Sequence, residues 1–479
     1  MSNPQRTRRF IADYAWVASG ELISKVAGFL AFAYLARLLA PEAYGSVELA
    51  VAVAMVGYLV VDFGLGPVAA RAVTRTPEQS SALTGSVPAI RTALSLGVVA
   101  VAGAFGHWIG RNEEERILIL FFATSLLAAP WVMDWLFQGL DRVKWVAPAQ
   151  MLRMGLFLGG VAIFVEGPEH LLRVGIIEIA AFAAMSAYYV IAARVNNERP
   201  RLKPDSDTLR TLAREATPVG LGQLLWALNQ YLPTLALAAG TAGVEVAYYG
   251  ASHRVVFSLS SFVFLYFFTL YPLLVRATSG PPQDFEELTS HSLRVTAWLG
   301  ILIALMGTAL AEPICRLAFG DAFGESAAVL ALVVWALPIN LISGHARFAL
   351  IAAGHQTAQM WAQAVGVALT LALCVVLVPT HQSMGAAYAL IASALGVWAV
   401  AHIATLRLVA PMAGLTPLWK PACTALGVWT VAEWLPLGPG TGSALFVGAA
   451  YLALALVLER STLGELVRRL GSGPPEDNP

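Results

Sequence analysis

The chain has 479 residues, of which 58% are hydrophobic and 13% charged, and its mean hydropathy is +0.68. Soluble domains carry about 25% charged residues, so this composition excludes an ordinary soluble enzyme and predicts a protein embedded in lipid. The formal net charge is zero and no compact basic region is present, which excludes nucleic acid as a partner.

Apolar stretches recur along the whole chain, and about 20 apolar residues are enough to cross the hydrocarbon core of a bilayer. There are fourteen such stretches. They lie near residues 11–37, 46–70, 88–109, 116–138, 147–165, 171–194, 215–238, 246–275, 293–311, 326–353, 358–378, 384–407, 417–436 and 443–459. We therefore predict an all-α integral membrane protein with about fourteen transmembrane helices.

The positions of lysine and arginine predict the orientation of the chain, because cytoplasmic loops carry the excess of these residues. With the N-terminus inside, roughly four times as many of them fall on the cytoplasmic side as on the outer side. The sequence therefore predicts that the N-terminus and the C-terminus are both cytoplasmic.

The longest polar interruption contains Pro200 and Pro204 and predicts a cytoplasmic linker between two halves. The motif PEAYG ends at Gly45 before the second stretch, and VAYYG ends at Gly250 before the eighth. Each half holds six stretches, an even number, so we predict parallel repeats related by an axis along the membrane normal. The predicted segments are an N-terminal six-helix lobe (1–194), the linker (195–214), a C-terminal six-helix lobe (215–407), a final helix pair (408–459) and a cytoplasmic tail (460–479).

Glu21 and Lys25 are charged residues in the middle of the first stretch, four positions apart and hence on one face of a helix. An ionised side chain at the bilayer centre costs about 2.5–3.5 kcal/mol on insertion scales, so a retained one faces a partner or water. Two interpretations are open. The residues form a structural ion pair, or Lys25 attracts an anionic substrate group while Glu21 takes up a proton or cation. We favour the second, which requires a water-accessible hollow around them.

The eighth stretch contains Arg254 well inside its outer end, where the side chain either extends to the interface or faces the interior. Because a guanidinium matches phosphate oxygens, Arg254 and Lys25 are the candidates for binding a diphosphate. In the seventh stretch, Pro218 and Pro233 surround Asn229 and Gln230, which predicts an interrupted, interior helix. The two amides are further substrate-binding candidates, or they join neighbouring helices by hydrogen bonds.

Asp62, Asp134 and Glu178 are further carboxylates within apolar stretches. Asp62 and Asp134 lie near predicted cytoplasmic helix ends, where we expect mainly structural roles: bonding freed backbone groups or pairing with arginine. The arginines considered as partners are Arg71, Arg75 and Arg142. Glu178 in the sixth stretch is, with Glu21, a candidate for ion coupling.

The sequence has no motif of enzyme machinery: no GxxxxGK[ST] phosphate loop, no HExxH, no GxSxG and no histidine and cysteine cluster at metal spacing. We therefore expect neither cofactor nor metal. The outer loops are short, so the chain lacks room for the outer acidic domain that a polymerase or glycosyltransferase would need. We expect a transporter driven by an ion gradient rather than an enzyme.

Three segments of the first third resemble one family of exporters. They are LARLLAPEAYGSVELAVAV, VVDFGLGPVAARAV and DWLFQGLDRVKWVAPAQMLR. In these segments and in its helix layout the chain is similar to the polysaccharide and O-antigen flippases (Wzx type) of the multidrug/oligosaccharidyl-lipid/polysaccharide exporter superfamily. The family more commonly has glycine before the proline of the first segment, where this chain has Ala40, so the form of that turn does not follow from the resemblance.

The resemblance implies two lobes around a central cavity that move a lipid-linked oligosaccharide of the polyprenyl diphosphate type from the inner to the outer leaflet. It implies the bacterial inner membrane, alternating access, coupling to H⁺ or Na⁺, and a role in O-antigen, lipopolysaccharide or exopolysaccharide synthesis. Family members line the cavity with cationic and acidic residues, which fits Lys25, Glu21 and Arg254 by position. A monomer is expected, alone or with polysaccharide assembly proteins.

Three other functions are weighed against the flippase. An ion-coupled multidrug antiporter of the same superfamily would favour fewer basic cavity residues. A membrane polysaccharide polymerase lacks its outer acidic domain here. A structural partner of a glycan assembly complex would not explain charge in the middle of a span.

Overall fold

The fold is all-α in a computed structural model that describes residues 4–198, 205–412, 414, 416–435 and 440–460. No strand occurs in these ranges. The predicted fold class is confirmed. Six residues of the predicted linker (199–204) and nearly all of the predicted tail lie outside the described part of the chain.

The described residues form sixteen α-helices, joined by short turns and short 3₁₀ segments. They are α1 (Pro4–Asp62), α2 (Leu65–Arg75), α3 (Ser80–Ile109), α4 (Glu113–Ser125), α5 (Asp134–Gly139), α6 (Val146–Phe164), α7 (Leu171–Val195), α8 (Ser206–Gly240), α9 (Gly243–Thr278), α10 (Pro282–Ala309), α11 (Ala311–Phe319), α12 (Ser326–Val333), α13 (Ala336–Ala352), α14 (Gln356–Leu408), α15 (Trp419–Trp434) and α16 (Thr441–Leu458).

Ten helical stretches among the described residues are long and apolar enough to cross a membrane, so this is a multi-pass membrane protein. Two of them, Ser19–Arg75 and Gln356–Leu408, each cover two of the predicted spans. Each other predicted span overlaps one helix or two successive helices: 116–138 crosses α4 and α5, and 326–353 crosses α12 and α13. α8 and α15 are not among the ten stretches. The count of fourteen transmembrane helices stays a prediction.

Two non-helical residues divide the longest helices. Ala40 (φ 58°, ψ 161°) interrupts α1, and Gln382 (φ 49°, ψ −127°) interrupts α14. A positive φ is costly for a side chain with a Cβ, and Pro41 also disfavours helical geometry in the residue before it. Ala40 thus ends the first span, and Pro41 sits at the start of the next helical segment, where its missing N–H is tolerated.

α8 is continuous from Ser206 to Gly240 and passes through both Pro218 and Pro233. The predicted interruption of this helix is therefore wrong. The helix begins at a cap inside the predicted linker: the Thr208 backbone N–H and hydroxyl donate to Asp205 Oδ2 at 2.9 and 2.6 Å. These bonds stabilise the ionised carboxylate and lower the pKa of Asp205 from its ordinary value.

The chain packs as two compact units. The first comprises residues 1–258, 318–325 and 363–393, and the second comprises residues 259–317, 326–362 and 394–479. A core of the first unit contains Trp135 and Tyr189, and a core of the second contains Trp298 and Tyr451. These boundaries differ from those of the predicted lobes, whose organisation stays a prediction.

Candidate functional site

The Glu21–Lys25 pair of the first span is formed as its helical spacing predicts. Lys25 Nζ lies 2.8 Å from Glu21 Oε1, with the lysine side chain 34% and the glutamate side chain 62% exposed. Large apolar side chains around the pair, Leu22, Ile23 and Val26, are exposed as well. The pair is therefore not sealed in protein, and its role in binding substrate or coupling ions stays a prediction.

Arg254 in α9 is buried and bound to a carboxylate that sequence analysis missed. Its Nε and Nη2 donate to the two carboxylate oxygens of Glu48, each at 2.8 Å. Tyr44, one turn before Glu48 in α1, donates its hydroxyl to Oε1 of the same carboxylate at 2.6 Å. This arrangement is a two-pronged, charge-assisted pair with one further hydrogen bond, the geometry that makes buried ion pairs tolerable.

Phe32 packs against the buried Arg254 and lies on the same face of α1 as Lys25. The Arg254 guanidinium carbon lies 3.3 Å from the centre of the Phe32 ring, so the cation is stacked on the aromatic face. Phe32 follows Lys25 by seven residues, which is two helical turns or about 10 Å along the same face of α1. One face of the first span thus carries Glu21, Lys25 and the ring that supports Arg254.

The two glycines of the repeated motif are the points where α1 and α9 approach each other. A Cβ on Gly45 would collide with the backbone carbonyl of Gly243 at the start of α9. A Cβ on Gly250 would lie 2.5 Å from Cγ of Glu48. Gly250 precedes Arg254 by one turn of α9, and because it lacks a side chain, Glu48 of α1 fits against α9 at this position.

Asn229 is held in a hydrogen-bond network between α8 and α14. Its amide nitrogen donates to the backbone oxygen and to Oε1 of Gln363 at 3.0 and 2.9 Å, and its oxygen accepts from Ser393 Oγ at 3.1 Å. This network matches the alternative in which the amide joins neighbouring helices. Gln230 is half-buried beside it. A substrate role for either amide stays a prediction.

Asp62 pairs with Arg91 of α3 rather than with Arg71, Arg75 or Arg142, so the expected partners were wrong. Asp62 Oδ1 also accepts from the backbone N–H of Gly66 at 3.1 Å, as expected for a residue that bonds freed backbone. The Arg91 side chain is only 2% exposed, and its Nη1 donates to the Val132 carbonyl at 2.7 Å.

Asp134 lies close enough to Arg91 and Asp62 to interact electrostatically with both. Its Oδ1 is buried and has no hydrogen-bond partner among the described residues. Two carboxylates therefore lie near one guanidinium, which is bonded to Asp62, and the buried Oδ1 of Asp134 lacks a donor. Such a group gains from binding a proton or a cation.

Glu178 in α7 pairs with Arg153 of α6, and both side chains are largely buried. The Arg153 guanidinium also lies 5.0 Å from the centre of the Phe182 ring. The predicted coupling role of Glu178 is not tested by this contact, but its charge is already compensated.

A groove of about 470 Å³ lies along α15 and α16, lined mostly by apolar side chains with Lys420 among them. None of the residues predicted to bind substrate or ions lines this groove. No group of three or more histidine, cysteine, aspartate or glutamate residues in the described ranges could hold a metal ion.

A family model described as "Polysaccharide biosynthesis protein" matches residues 10–278, more than half of the chain. The matched region contains Glu21, Lys25, Glu48 and Arg254. The chain belongs to the polysaccharide biosynthesis protein family. This family assignment agrees with the resemblance seen in the first third of the sequence.

Solved structures of exporters share the fold of this member of the polysaccharide biosynthesis family. The lipid II flippase MurJ in an inward closed conformation has a TM-score of 0.75 at 12% identity, covering 93% of this chain and 99% of that one. A multidrug resistance MATE family transporter of the MOP superfamily, facing inward, has a TM-score of 0.62 at 12% identity, covering 81% and 93%. A variant of the Vibrio cholerae MATE transporter VcmN has a TM-score of 0.55 at 18% identity, covering 82% and 96%.

These structural matches establish the fold. The three proteins are described as a flippase and two transporters, in line with the expectation that the chain is not an enzyme. No curated protein sequence matches the chain.

Proposed function

We propose that this protein moves a lipid-diphosphate-linked oligosaccharide from the inner to the outer leaflet of the bacterial cytoplasmic membrane, for the synthesis of a cell-surface polysaccharide. The head of such a lipid is charged and hydrated and cannot cross hydrocarbon, whereas its tail stays in lipid throughout. A protein with this task needs a cationic surface inside the membrane. The excess of lysine and arginine on one side supports cytoplasmic termini.

The observation that supports the proposal most is the buried guanidinium group of Arg254, which is stacked on Phe32 and forms two hydrogen bonds with Glu48. Arginine binds phosphate with the same two-pronged geometry that it uses for a carboxylate. Lys25 lies two helical turns before Phe32 on the same face of α1 and supplies a second cation. A diphosphate carries two charged groups, which these two cations can bind together.

In the resting state Glu48 occupies the position that a substrate phosphate would take. We infer that a phosphate binds by exchange: it replaces Glu48 on Arg254, and Glu48 then accepts a proton because it has lost its cation. Substrate release reverses the exchange. Alternating access about this site would carry the head across the membrane.

For the coupling ion, Glu21 and Glu178 stay candidates, and Asp134 joins them. Glu178 is compensated by Arg153, whereas Asp134 has a buried oxygen without a donor. We therefore expect Asp134→Asn to abolish gradient-dependent transport in vesicles more completely than Glu178→Gln. Equal gradient dependence in Asp134→Asn and the parent protein would exclude Asp134 from coupling.

The direct test is transport of a fluorescent polyprenyl diphosphate sugar by the purified protein in vesicles. Lys25→Ala and the double substitution Glu48→Leu with Arg254→Met should slow this movement at least about tenfold and cause inward-facing precursor to accumulate in cells. Replacing a buried ion pair by apolar residues of similar volume is often neutral for stability, so the double variant separates folding from binding.

A matched control is the Arg111–Glu115 pair at the start of α4, with nitrogen and oxygen 2.8 Å apart. Its double replacement by methionine and leucine should leave transport unchanged. If the parent protein moves no lipid-linked sugar, the flippase proposal is wrong. If it does but the Glu48 and Arg254 double variant transports normally, the anion site alone is wrong.

The alternative is an ion-coupled multidrug or cation antiporter, favoured by the likeness of the fold to MATE transporters. A cationic substrate would be repelled by Lys25 and Arg254 once their carboxylate partners are released. Drug susceptibility of a deletion strain distinguishes the two: a change in susceptibility with normal surface polysaccharide would favour the antiporter.

A further inference from the structure

α13, in the second compact unit, carries an arginine without a carboxylate. In the first unit, Lys25 pairs with Glu21, and three buried arginines also have acidic partners: Arg91 has Asp62, Arg153 has Glu178 and Arg254 has Glu48. In the described part of the chain Arg347 forms no ion pair, and its Nε is buried without a hydrogen-bond acceptor.

Ser343 lies one helical turn before Arg347 and shows the same deficiency. Its side chain is 1% exposed, and its Oγ has no hydrogen-bond partner among the residues that the structure describes. Residues four positions apart share a face of a helix, so these two groups lie side by side. Most buried hydroxyls in proteins are hydrogen-bonded, so the pair calls for an explanation.

The remaining sides of α13 at this level are packed against other helices. Gly344 and Phe348 contact Phe267 of α9, whose ring is stacked on that of Phe348 at 4.8 Å. His345 Nε2 forms a hydrogen bond with Ser292 Oγ of α10 at 2.7 Å. The Ala346 carbonyl accepts from Thr405 Oγ1 of α14 at 3.2 Å.

Packing and hydrogen bonds thus satisfy three directions around α13. The fourth direction is the Ser343–Arg347 face. Its polar groups are the guanidinium N–H groups, which only donate hydrogen bonds, and a hydroxyl, which can donate as well as accept, and the face has a net positive charge. A face of this kind is complementary to an anion with several acceptor oxygens, and phosphate is the group that arginine binds best.

The position of Arg347 along the helix indicates which kind of phosphate compound can reach it. It precedes the last residue of α13 by five positions, or about 8 Å, and charge distribution predicts that this end is cytoplasmic. A phosphate at this depth is near the head-group level of the inner leaflet. We propose that Ser343 and Arg347 bind a phosphate group of the lipid-linked substrate when it first enters from the cytoplasmic leaflet, an inference that rests on the proposed function.

The test measures binding rather than transport. Farnesyl diphosphate, a short polyprenyl diphosphate, and phosphatidylglycerol are titrated against the purified full chain in a neutral detergent. The variants are Arg347→Ala, Arg347→Met, which keeps much of the side-chain volume, Arg347→Lys and Ser343→Ala. The control is Arg407→Ala, since Arg407 is an exposed cation at the end of α14 in the same unit.

We expect Arg347→Ala and Arg347→Met to bind farnesyl diphosphate at least about tenfold more weakly, Ser343→Ala about threefold, and Arg347→Lys to recover part of the loss. The Arg407→Ala variant and all phosphatidylglycerol affinities should be unchanged. Equal losses for both lipids would reduce the face to a general phospholipid contact and overturn the proposal. Unchanged affinity in a folded Arg347→Met variant would overturn it as well.

These outcomes are separable from those of the proposed function. If Lys25 and Arg254 variants stop transport but Arg347→Met binds diphosphate normally, only the entry site is wrong. If Arg347→Met loses diphosphate binding while the parent protein moves no lipid-linked sugar, the Ser343–Arg347 site stands and the flippase proposal fails.

Discussion

Replacing Ala40 with glycine should stabilise the folded protein, although glycine usually weakens helical regions. Ala40 separates the two segments of α1 with φ 58° and ψ 161°, a conformation that residues with a Cβ rarely adopt. Residues held there cost about 1–3 kcal/mol, and glycine adopts this geometry without a steric penalty. Glycine also raises the conformational entropy of the unfolded chain, which offsets about 0.4–1 kcal/mol of this stabilisation.

The balance is a stabilisation of about 1 kcal/mol. For a chain of this length the corresponding rise in melting temperature is about 1–2 °C, because the shift for each kcal/mol falls as a protein grows. Thermal unfolding in detergent, followed by intrinsic fluorescence, measures it. Ala43→Gly is the matched control: Ala43 lies inside the next helical segment, where glycine costs about 0.5–1 kcal/mol.

The two substitutions are therefore expected to shift the melting temperature in opposite directions. If Ala40→Gly lowers it as Ala43→Gly does, the strain argument is wrong. A further check is Gln382→Gly, at the other non-helical break (φ 49°), which should behave like Ala40→Gly.

Three more predictions concern stability. Gly250→Ala should destabilise the protein by about 1–3 kcal/mol, because the new Cβ would lie 2.5 Å from Glu48 Cγ; denaturant titration measures this, and a neutral result contradicts the close approach. Asp62→Asn should cost about 3–5 kcal/mol by removing the carboxylate that is bonded to the buried Arg91 guanidinium, and the same titration would refute this if the loss stays below about 1 kcal/mol. Asp205→Ala should speed amide exchange in the first turn of α8 at neutral pH. Because the folded pKa of Asp205 is lowered, its contribution is complete above its ordinary pKa of about 4 and disappears as the pH falls through the lowered value, so the difference should vanish in acid; a difference that persists there would contradict the capping role.

Much of the fold follows from the sequence because lipid imposes one simple rule: a crossing segment is a long apolar helix. Every predicted span overlaps at least one helix, and the break between the first two spans falls at Ala40, where the family pattern pointed to a turn. The continuous course of α8 does not follow from the sequence. Pro218 and Pro233 remove helical hydrogen bonds, but neighbouring groups can satisfy the freed carbonyls, which sequence alone does not reveal.

The partners of charged residues were harder to predict than their positions. Glu21 and Lys25 are four residues apart, so their pairing follows from helical spacing. Glu48 is 206 residues from Arg254. Its choice as a partner depends on tertiary packing, although its place within an apolar stretch was a signal that it needs a cation.

The Glu48–Arg254 pair has an electrical consequence. As long as the carboxylate and the guanidinium are bonded, together they carry no net charge, so the membrane potential exerts almost no force on them. Once a proton neutralises Glu48, or a phosphate takes its place, the site carries charge that the potential can act on, at about 2.3 kcal/mol for each elementary charge moved through 100 mV. The voltage across the cell membrane would therefore act on the exchange and not on the resting protein.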